Sequence, residues 1–241
     1  MPLFVDIHSH ILPGLDDGPT DLATSLELVQ GLHALGFGIF HPTPHQKARA
    51  WAPTVEQRQQ ASEELRQALA KNGLELEIRQ AGGENMWDDL FLERHPSCAF
   101  PCYEGDKAFL IEFTPHLLPP ALPEQLFRFR VAGLLPVIAH VERYPSLVKK
   151  EAALEALEGK AALLVNLSSL GGLGGFGQKR LARQLVKKRQ VHAVASDAHG
   201  DPDLHYGRKG LHWLERQLHP TEIEALLCEN PIRILQGEIP E

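Results

Sequence analysis

Phe4-Val5-Asp6-Ile7-His8-Ser9-His10, followed by Ile11-Leu12-Pro13-Gly14-Leu15-Asp16-Asp17-Gly18, is the stretch that decides the fold. Phe4–His8 reads as a short apolar β-strand that delivers imidazoles at its C-terminal end. Side chains on a strand alternate between faces, so His-x-His sets His8 and His10 on one side, within reach of one metal ion. The Asp-Asp-Gly element is a turn signal and brings carboxylates into the next loop. A strand ending in ligating side chains is how β/α barrels build their sites, at the carboxyl-terminal face of the sheet.

The same arrangement recurs along the chain. Further strands are expected at Gly38–His41, Leu76–Gln80, Ala108–Phe113, Leu135–His140, Ala162–Leu167 and Val191–Ser196. Six of the seven end near an imidazole or carboxylate: His8 and His10, His41 and His45, Glu84, Glu112, His140, and Asp197 with His199. A solvated surface would scatter such residues over both ends of the strands. Amphipathic stretches lie between them. One carries Leu22, Leu26, Val29 and Leu32 on one face and stops at Gly36; a second opens with a Thr54/Gln57 capping box and stops at Gly73. Others are expected over Pro123–Ala132, Lys149–Leu157, Gln178–Arg189, Gly207–Leu218 and Thr221–Cys228, with Leu117, Leu118 and Leu122 read as core. Strands alternating with helices predict an α/β protein, more a barrel-like ring than an open sheet. Without a linker or an internal repeat, residues 1–241 read as one domain.

Composition narrows the function classes. The formal net charge of −7 speaks against a nucleic-acid partner, which calls for a basic face. No apolar run reaches the ~18–20 residues of a membrane span, and the N-terminus lacks the basic and apolar regions of a signal peptide. Three cysteines, Cys98, Cys102 and Cys228, suit a reducing compartment, so a cytoplasmic location is expected. They also exclude a cysteine-based phosphatase. That chemistry uses Cys-x5-Arg, and the sixth residues after the three cysteines are Glu104, Ala108 and Ile234. Nitrogen and oxygen donors without sulfur suit zinc, manganese or iron(II), and a carboxylate such as Glu84 can bridge two ions about 3.5–4 Å apart.

Two further signals point elsewhere. Gly172-Leu173-Gly174-Gly175-Phe176-Gly177 satisfies G-x-G-x-x-G and has Asp197 twenty residues beyond it. It falls late in the chain, with five strand candidates ahead of the one it follows, and Asp197 belongs to an Asp-x-His pair better used on metal; a glycine loop at the mouth of the site is the better reading. Lys179, Arg180, Arg183, Lys187, Lys188 and Arg189 make a basic helix, read as a solvated face or as a contact for an acidic phosphopeptide.

The motifs in their order resemble the PHP (polymerase and histidinol phosphatase) superfamily. They are most similar to its bacterial manganese-dependent protein-tyrosine phosphatases, which are associated with capsule and exopolysaccharide synthesis. The resemblance rests on Val5–Pro19, Thr43-Pro44-His45, Ile138-Ala139-His140-Val141-Glu142-Arg143-Tyr144 and Ala195-Ser196-Asp197-Ala198-His199, and runs from Asp6 to Asn230-Pro231. Asp-Asp-Gly-Pro and His-x-Glu-Arg-Tyr are specific to that branch, whereas His-x-His and Asp-x-His occur more widely. The loop Gln46-Lys47-Ala48 departs from the family pattern.

The resemblance implies a distorted (β/α)7, TIM-like barrel of PHP type holding two or three divalent ions, manganese first among the candidates and iron or zinc as alternatives. His8, His10, Glu84 and Asp197 would hold one ion. Glu84, Glu112 and His140 would hold a second, and Asp17, His45 and His199 a third. Arg143 and Arg208 match the family's phosphate-binding arginines. His41, His192 and His205 have no family role, and the first two read as structural or surface residues. The implied reaction is attack of metal-activated water on a phosphotyrosine, in the tail of a bacterial tyrosine autokinase. A small-molecule phosphatase, such as one acting on histidinol phosphate, is the alternative within the same chemistry. A metal-binding regulatory module without activity is the alternative outside it.

Overall fold

Every one of the seven apolar runs forms a strand, and every strand pair is parallel. The computed structural model describes residues 3–240, the side chain of residue 96 excepted. Its strands are β1 (Phe4–Asp6), β2 (Phe37–Phe40), β3 (His45–Gln46), β4 (Glu77–Ile78), β5 (Glu84–Met86), β6 (Ala108–Glu112), β7 (Leu135–Ile138), β8 (Ala162–Asn166) and β9 (Ala193–Ala195). Its helices are α1 (Leu22–His33), α2 (Val55–Lys71), α3 (Asp89–Arg94), α4 (Leu122–Val131), α5 (Pro145–Val148), α6 (Glu151–Glu155), α7 (Leu167–Gly171), α8 (Gly175–Lys187), α9 (Asp201–Gln217), α10 (Pro220–Glu224) and α11 (Asn230–Leu235).

The strands are shorter than expected, and two short ones, β3 and β5, are additional. The cause is local. Between β2 and β3 lies Pro42-Thr43-Pro44, in which the prolines have no N–H to give to a ladder. Between β4 and β5 lies Ala81-Gly82-Gly83. β4-β2-β1 therefore forms one sheet and β3-β5-β6-β7-β8-β9 another. Hydrogen bonds nevertheless continue across the breaks, from Gly82 N to the Pro42 carbonyl (2.9 Å) and from Glu84 N to the Thr43 carbonyl (3.2 Å). On the other side Ser9 bridges Ala198, Asp197 N donates to the His8 carbonyl (2.8 Å) and His10 N to the Ala198 carbonyl (3.1 Å). The result is an α/β fold with a curled parallel sheet.

Helix ends follow the capping chemistry. Asp21 accepts from Thr24 N at the start of α1 (2.9 Å), and the Thr54/Gln57 box closes reciprocally at the start of α2. α9 begins at Asp201, six residues before the expected Gly207. The G-x-G-x-x-G segment is no strand–loop–helix turn. α7 intervenes between β8 and the glycines, Gly172 closes α7 and Gly174 precedes α8.

The sheet divides the apolar residues into two layers. The larger lies between strands and helices and includes Leu32, Phe40, Leu65, Phe109, Leu163 and Leu185. The smaller contains Val5, Ile7, Leu110, Val137, Leu164 and Ala195, with no residue of α1 to α9, which places it on the concave side. Its alanines suit a narrow interior, and each fully buried Leu or Val there contributes about 1.5–3 kcal/mol. Leu122 is core as expected, but Leu117 is 75% exposed. It sits on a tight turn closed by Leu117 N donating to the Thr114 carbonyl.

Candidate metal centre

The nine His, Asp and Glu side chains singled out as ligands form one connected cluster at the carboxyl ends of the strands. His8 and His10 follow β1, His45 is on β3, Glu84 opens β5 and Glu112 closes β6. His140 lies two residues after β7 and Asp197 two after β9. Register brings His45 opposite Glu84 and Met86 opposite Glu112. Two of the positions are left-handed without being glycine, His140 (φ 32°) and Asp197 (φ 49°). Such conformations cost of order 1–3 kcal/mol and concentrate at functional sites.

Glu84 stands at the centre. Its carboxylate lies 3.3 Å from His8, 3.2 Å from His10, 3.0 Å from His45 and 2.9 Å from His140. Three ligand sets emerge, His8/His10/Glu84/Asp197, His10/Asp17/His45/His199 and His45/Glu84/Glu112. The first is the expected set. The second is the expected Asp17/His45/His199 with His10 added. In the third, His45 stands where His140 was expected, and His140 Nε2 is 2.9 Å from Glu84 and 3.7 Å from Glu112.

The spacing is that of groups aimed at a common point rather than at one another. His10 Nε2 lies 3.4 Å from His8 Nε2, 3.2 Å from Glu84 Oε2 and 3.4 Å from Asp197 Oδ1. Donor atoms held about 2.1 Å from a cation stand roughly 3.0 Å apart in an octahedron and 3.4 Å apart in a tetrahedron. His45 Nδ1, Glu84 Oε2 and Glu112 Oε1 are buried, close and yet not aligned for hydrogen bonds. The donor set therefore fits divalent cations.

Electrostatics agree. Burial alone would raise the pKa of Glu84, but the imidazoles around it, His8 foremost, hold it well below the usual carboxylate range. Asp197 is likewise lowered despite burial, by His8 and Arg143. Burial opposes protonation of His45, yet Glu112 and Glu84 raise its pKa to about 10. The buried carboxylates thus concentrate negative charge of the kind that divalent cations balance.

Outer partners fix the rings. Asp16 Oδ2 lies 2.7 Å from His10 Nδ1, the Asp197 carbonyl 2.9 Å from His199 Nδ1, and Tyr144 Oη 3.2 Å from His140 Nδ1. Each leaves the other nitrogen turned inward, the usual arrangement behind a metal site. Asp16 itself accepts from His45 N (2.9 Å) and Gly18 N (3.0 Å), and position 18 must be glycine because a Cβ would strike the His10 carbonyl oxygen. Though burial opposes it, His10 and these amides lower the Asp16 pKa to about 2. Asp197 divides its oxygens. Oδ1 faces His8 and His10, while Oδ2 accepts from Asn166 Nδ2 and Arg143 Nη2 (2.7 Å). Sequence reasoning missed Asp16, Asn166 and Tyr144 as supports. It also missed Trp51, which stacks on His45 with centroids 5.5 Å apart.

Arg143 thus joins the cluster through Asp197, whereas Arg208 lies exposed on α9 and among the described residues makes no ion pair. His41 and His192 are both enclosed, and burial lowers the pKa of each to about 4. His205 is exposed.

The model of the family described as "Capsular polysaccharide synthesis, CpsB/CapC" matches residues 4–236. The chain belongs to the CpsB/CapC family. The tyrosine-protein phosphatase YwqE of Bacillus subtilis (strain 168) is 29% identical over 237 residues, which span 97% of this chain and 92% of that one. The tyrosine-protein phosphatase CpsB of Streptococcus pneumoniae is 25% identical over 242 residues, 98% and 99% of the two chains. A chain from the crystal structures of these two proteins, described as unique metal-dependent tyrosine phosphatases, superposes with a TM-score of 0.86 at 27% identity, covering 97% of this CpsB/CapC member and 95% of the solved chain. The resemblance drawn from the motifs holds.

Proposed function

We propose that this chain is a metal-dependent protein-tyrosine phosphatase, acting on the phosphorylated tail of a tyrosine autokinase in capsule or exopolysaccharide synthesis. The observation that carries it is the convergence of Glu84 and Asp197 with His8, His10, His45 and His140 within hydrogen-bond range, in a member of this family. His8, His10, Asp17, His45, Glu84, Glu112, His140, Asp197 and His199 would hold two or three divalent ions, manganese first. Such ions polarise a phosphoryl oxygen and make a nucleophile available near neutral pH.

The chain's own residues supply position and charge. Asp16, Tyr144 and the Asp197 carbonyl hold three imidazoles in orientation. Arg143, anchored through Nη2, keeps its remaining N–H donors for phosphoryl oxygens. Beside it opens a cleft of about 390 Å³, lined also by the buried Glu142 and, toward solvent, by His116, Lys149, Gln178 and Arg180. That basic wall suits an acidic phosphopeptide and supports a protein substrate over a small one. Arg208 would be the second phosphate contact, and unchanged kcat and KM in Arg208→Ala would remove it. Phenolate is a good leaving group, with a pKa of about 10.

The reading places the site at the mouth of a distorted (β/α)7 barrel, one domain over residues 1–241. The hydrogen bonds that cross the strand breaks, and those joining β1 to Asp197 and Ala198, support it. Among the described residues no helix is long and apolar enough to cross a membrane, and the cysteines are free, which supports a cytoplasmic location.

The test is phosphate release from a phosphotyrosine peptide by chelator-stripped protein given Mn, Zn or Fe(II). Restored turnover is expected, fastest with Mn. No release with any of the three would overturn the proposal.

A further inference from the structure

His45 faces the cluster, but its neighbour Gln46 points to the opposite side of β3, as strand alternation requires. There α2 and the segment around Cys98–Cys102 enclose a cleft of about 680 Å³. The helix face that lines it is not apolar. Val55, Arg58, Gln59, Ser62 and Arg66 follow helical spacing along it, while Ala61, Leu65 and Leu69 turn to the core.

Two guanidiniums, of Arg58 and Arg94, line this cleft, together with the exposed carboxylates of Glu56 and Asp106. Arg58 is 7% exposed, and its Nη1 donates to the Pro53 carbonyl at 2.7 Å, while Nε has no protein acceptor. Arg94 donates to Gln46 Oε1 at 3.0 Å. Among the described residues neither forms an ion pair; both are held by neutral oxygens. Burial and the nearby Arg94 push the Arg58 pKa down, and the exposed Glu56 offsets this least. Ser62, one turn from Arg58 on the same wall, is 1% exposed, and its unpartnered Oγ, like Arg58 Nε, lies just beneath the cleft surface. Buried charge is ordinarily paired, and two buried or half-buried like charges facing one cavity call for an anion between them.

We propose that this cleft binds a small phosphate-bearing molecule, with its phosphate between Arg58 and Arg94 and a hydroxyl-rich body against Gln59 and Gln80. A planar carboxylate is satisfied by one bidentate arginine, whereas a terminal phosphate presents three oxygens and accepts from two directions. The volume falls within the ~300–1,000 Å³ of small-molecule sites. The strand β3 separates this site from the metal cluster, so the two are distinct.

The test is a 15N NMR titration of the full chain loaded with Zn, using glucose 1-phosphate, inorganic phosphate and glucose. Both phosphates are expected to shift the amides of Gln59 and Ser62, and glucose is not. Because Arg58 is buried, Arg94→Met carries the main comparison. It should weaken that response at least tenfold with the spectrum otherwise preserved, and Arg58→Lys should weaken it several-fold. Arg143→Met, which alters the catalytic mouth, should leave it unchanged. Shifts absent at Gln59 and Ser62, equal for glucose, or undiminished in Arg94→Met would overturn the proposal. Phosphatase activity is not the readout, so failure here leaves the metal-centre reading standing.

Discussion

The carboxyl-terminal ends of the strands and the concave apolar layer just beneath them differ by two residues. On β6 Leu110 belongs to the apolar layer and Glu112 to the cluster; after β9 the same holds for Ala195 and Asp197. The lower positions gain stability from leaving water. The upper ones lose solvation, recover it through each other's charges and through Asp16, Arg143, Tyr144 and Asn166, and in two places rest on left-handed backbone. The lower layer holds the fold and the upper one carries the proposed metal ligands, so substitutions two residues apart should fail in opposite ways.

The largest effect is expected at the upper level. Asp197→Ala and His140→Ala should each lower p-nitrophenyl phosphate turnover by about 10²–10³-fold or more, with the circular dichroism spectrum and melting temperature close to those of the parent. Near-parental turnover in chelator-treated buffer would erase the contrast. Leu164→Ala, in the lower layer and fully buried, should do the reverse. It should cost about 2–5 kcal/mol in urea unfolding, with the activity of the folded fraction close to parental.

The third prediction concerns pH. His192 accepts from Leu163 N at Nδ1 (2.9 Å), and its enclosure lowers its pKa to about 4, against about 6.5 when unfolded. As pH falls, the unfolded chain takes the proton first. This contribution to stability is therefore full above pH 6.5 and lost progressively down to pH 4, by up to about 3 kcal/mol. In urea titrations at pH 7.5 and pH 5, His192→Gln should lose less stability on acidification than the parent. The smallest effect is expected just outside the cluster, where Asp16→Asn should weaken metal affinity about 10–100-fold while leaving the ligands in place. Unchanged metal titration would remove Asp16 from the site.

The upper level was legible in the sequence because ligand side chains at strand ends leave a fixed signature. His-x-His, Asp-x-His and the Asp-Asp-Gly turn are local, and strand parity carries them to one face. The interruptions of the second and third strands were partly visible in Pro42, Pro44, Gly82 and Gly83, but their outcome, two additional strands that carry His45 and Glu84, depends on pairing between segments some forty residues apart. Asn166 and Tyr144 were not legible. Their roles come from side-chain contacts with Asp197 and His140 that tertiary packing sets. The cleft of Arg58 and Arg94 is of the same kind, since only the fold brings α2 against the end of α3.

The most direct measurement is the metal content of the purified full chain, by elemental analysis after loading with Mn and dialysis, beside Glu84→Gln. Two or three ions per chain are expected in the parent and at least one fewer in the variant, because Glu84 touches four of the imidazoles. A parent that retains no divalent ion, or a Glu84→Gln variant that retains as many as the parent, would contradict the claim that this cluster cages the catalytic metals.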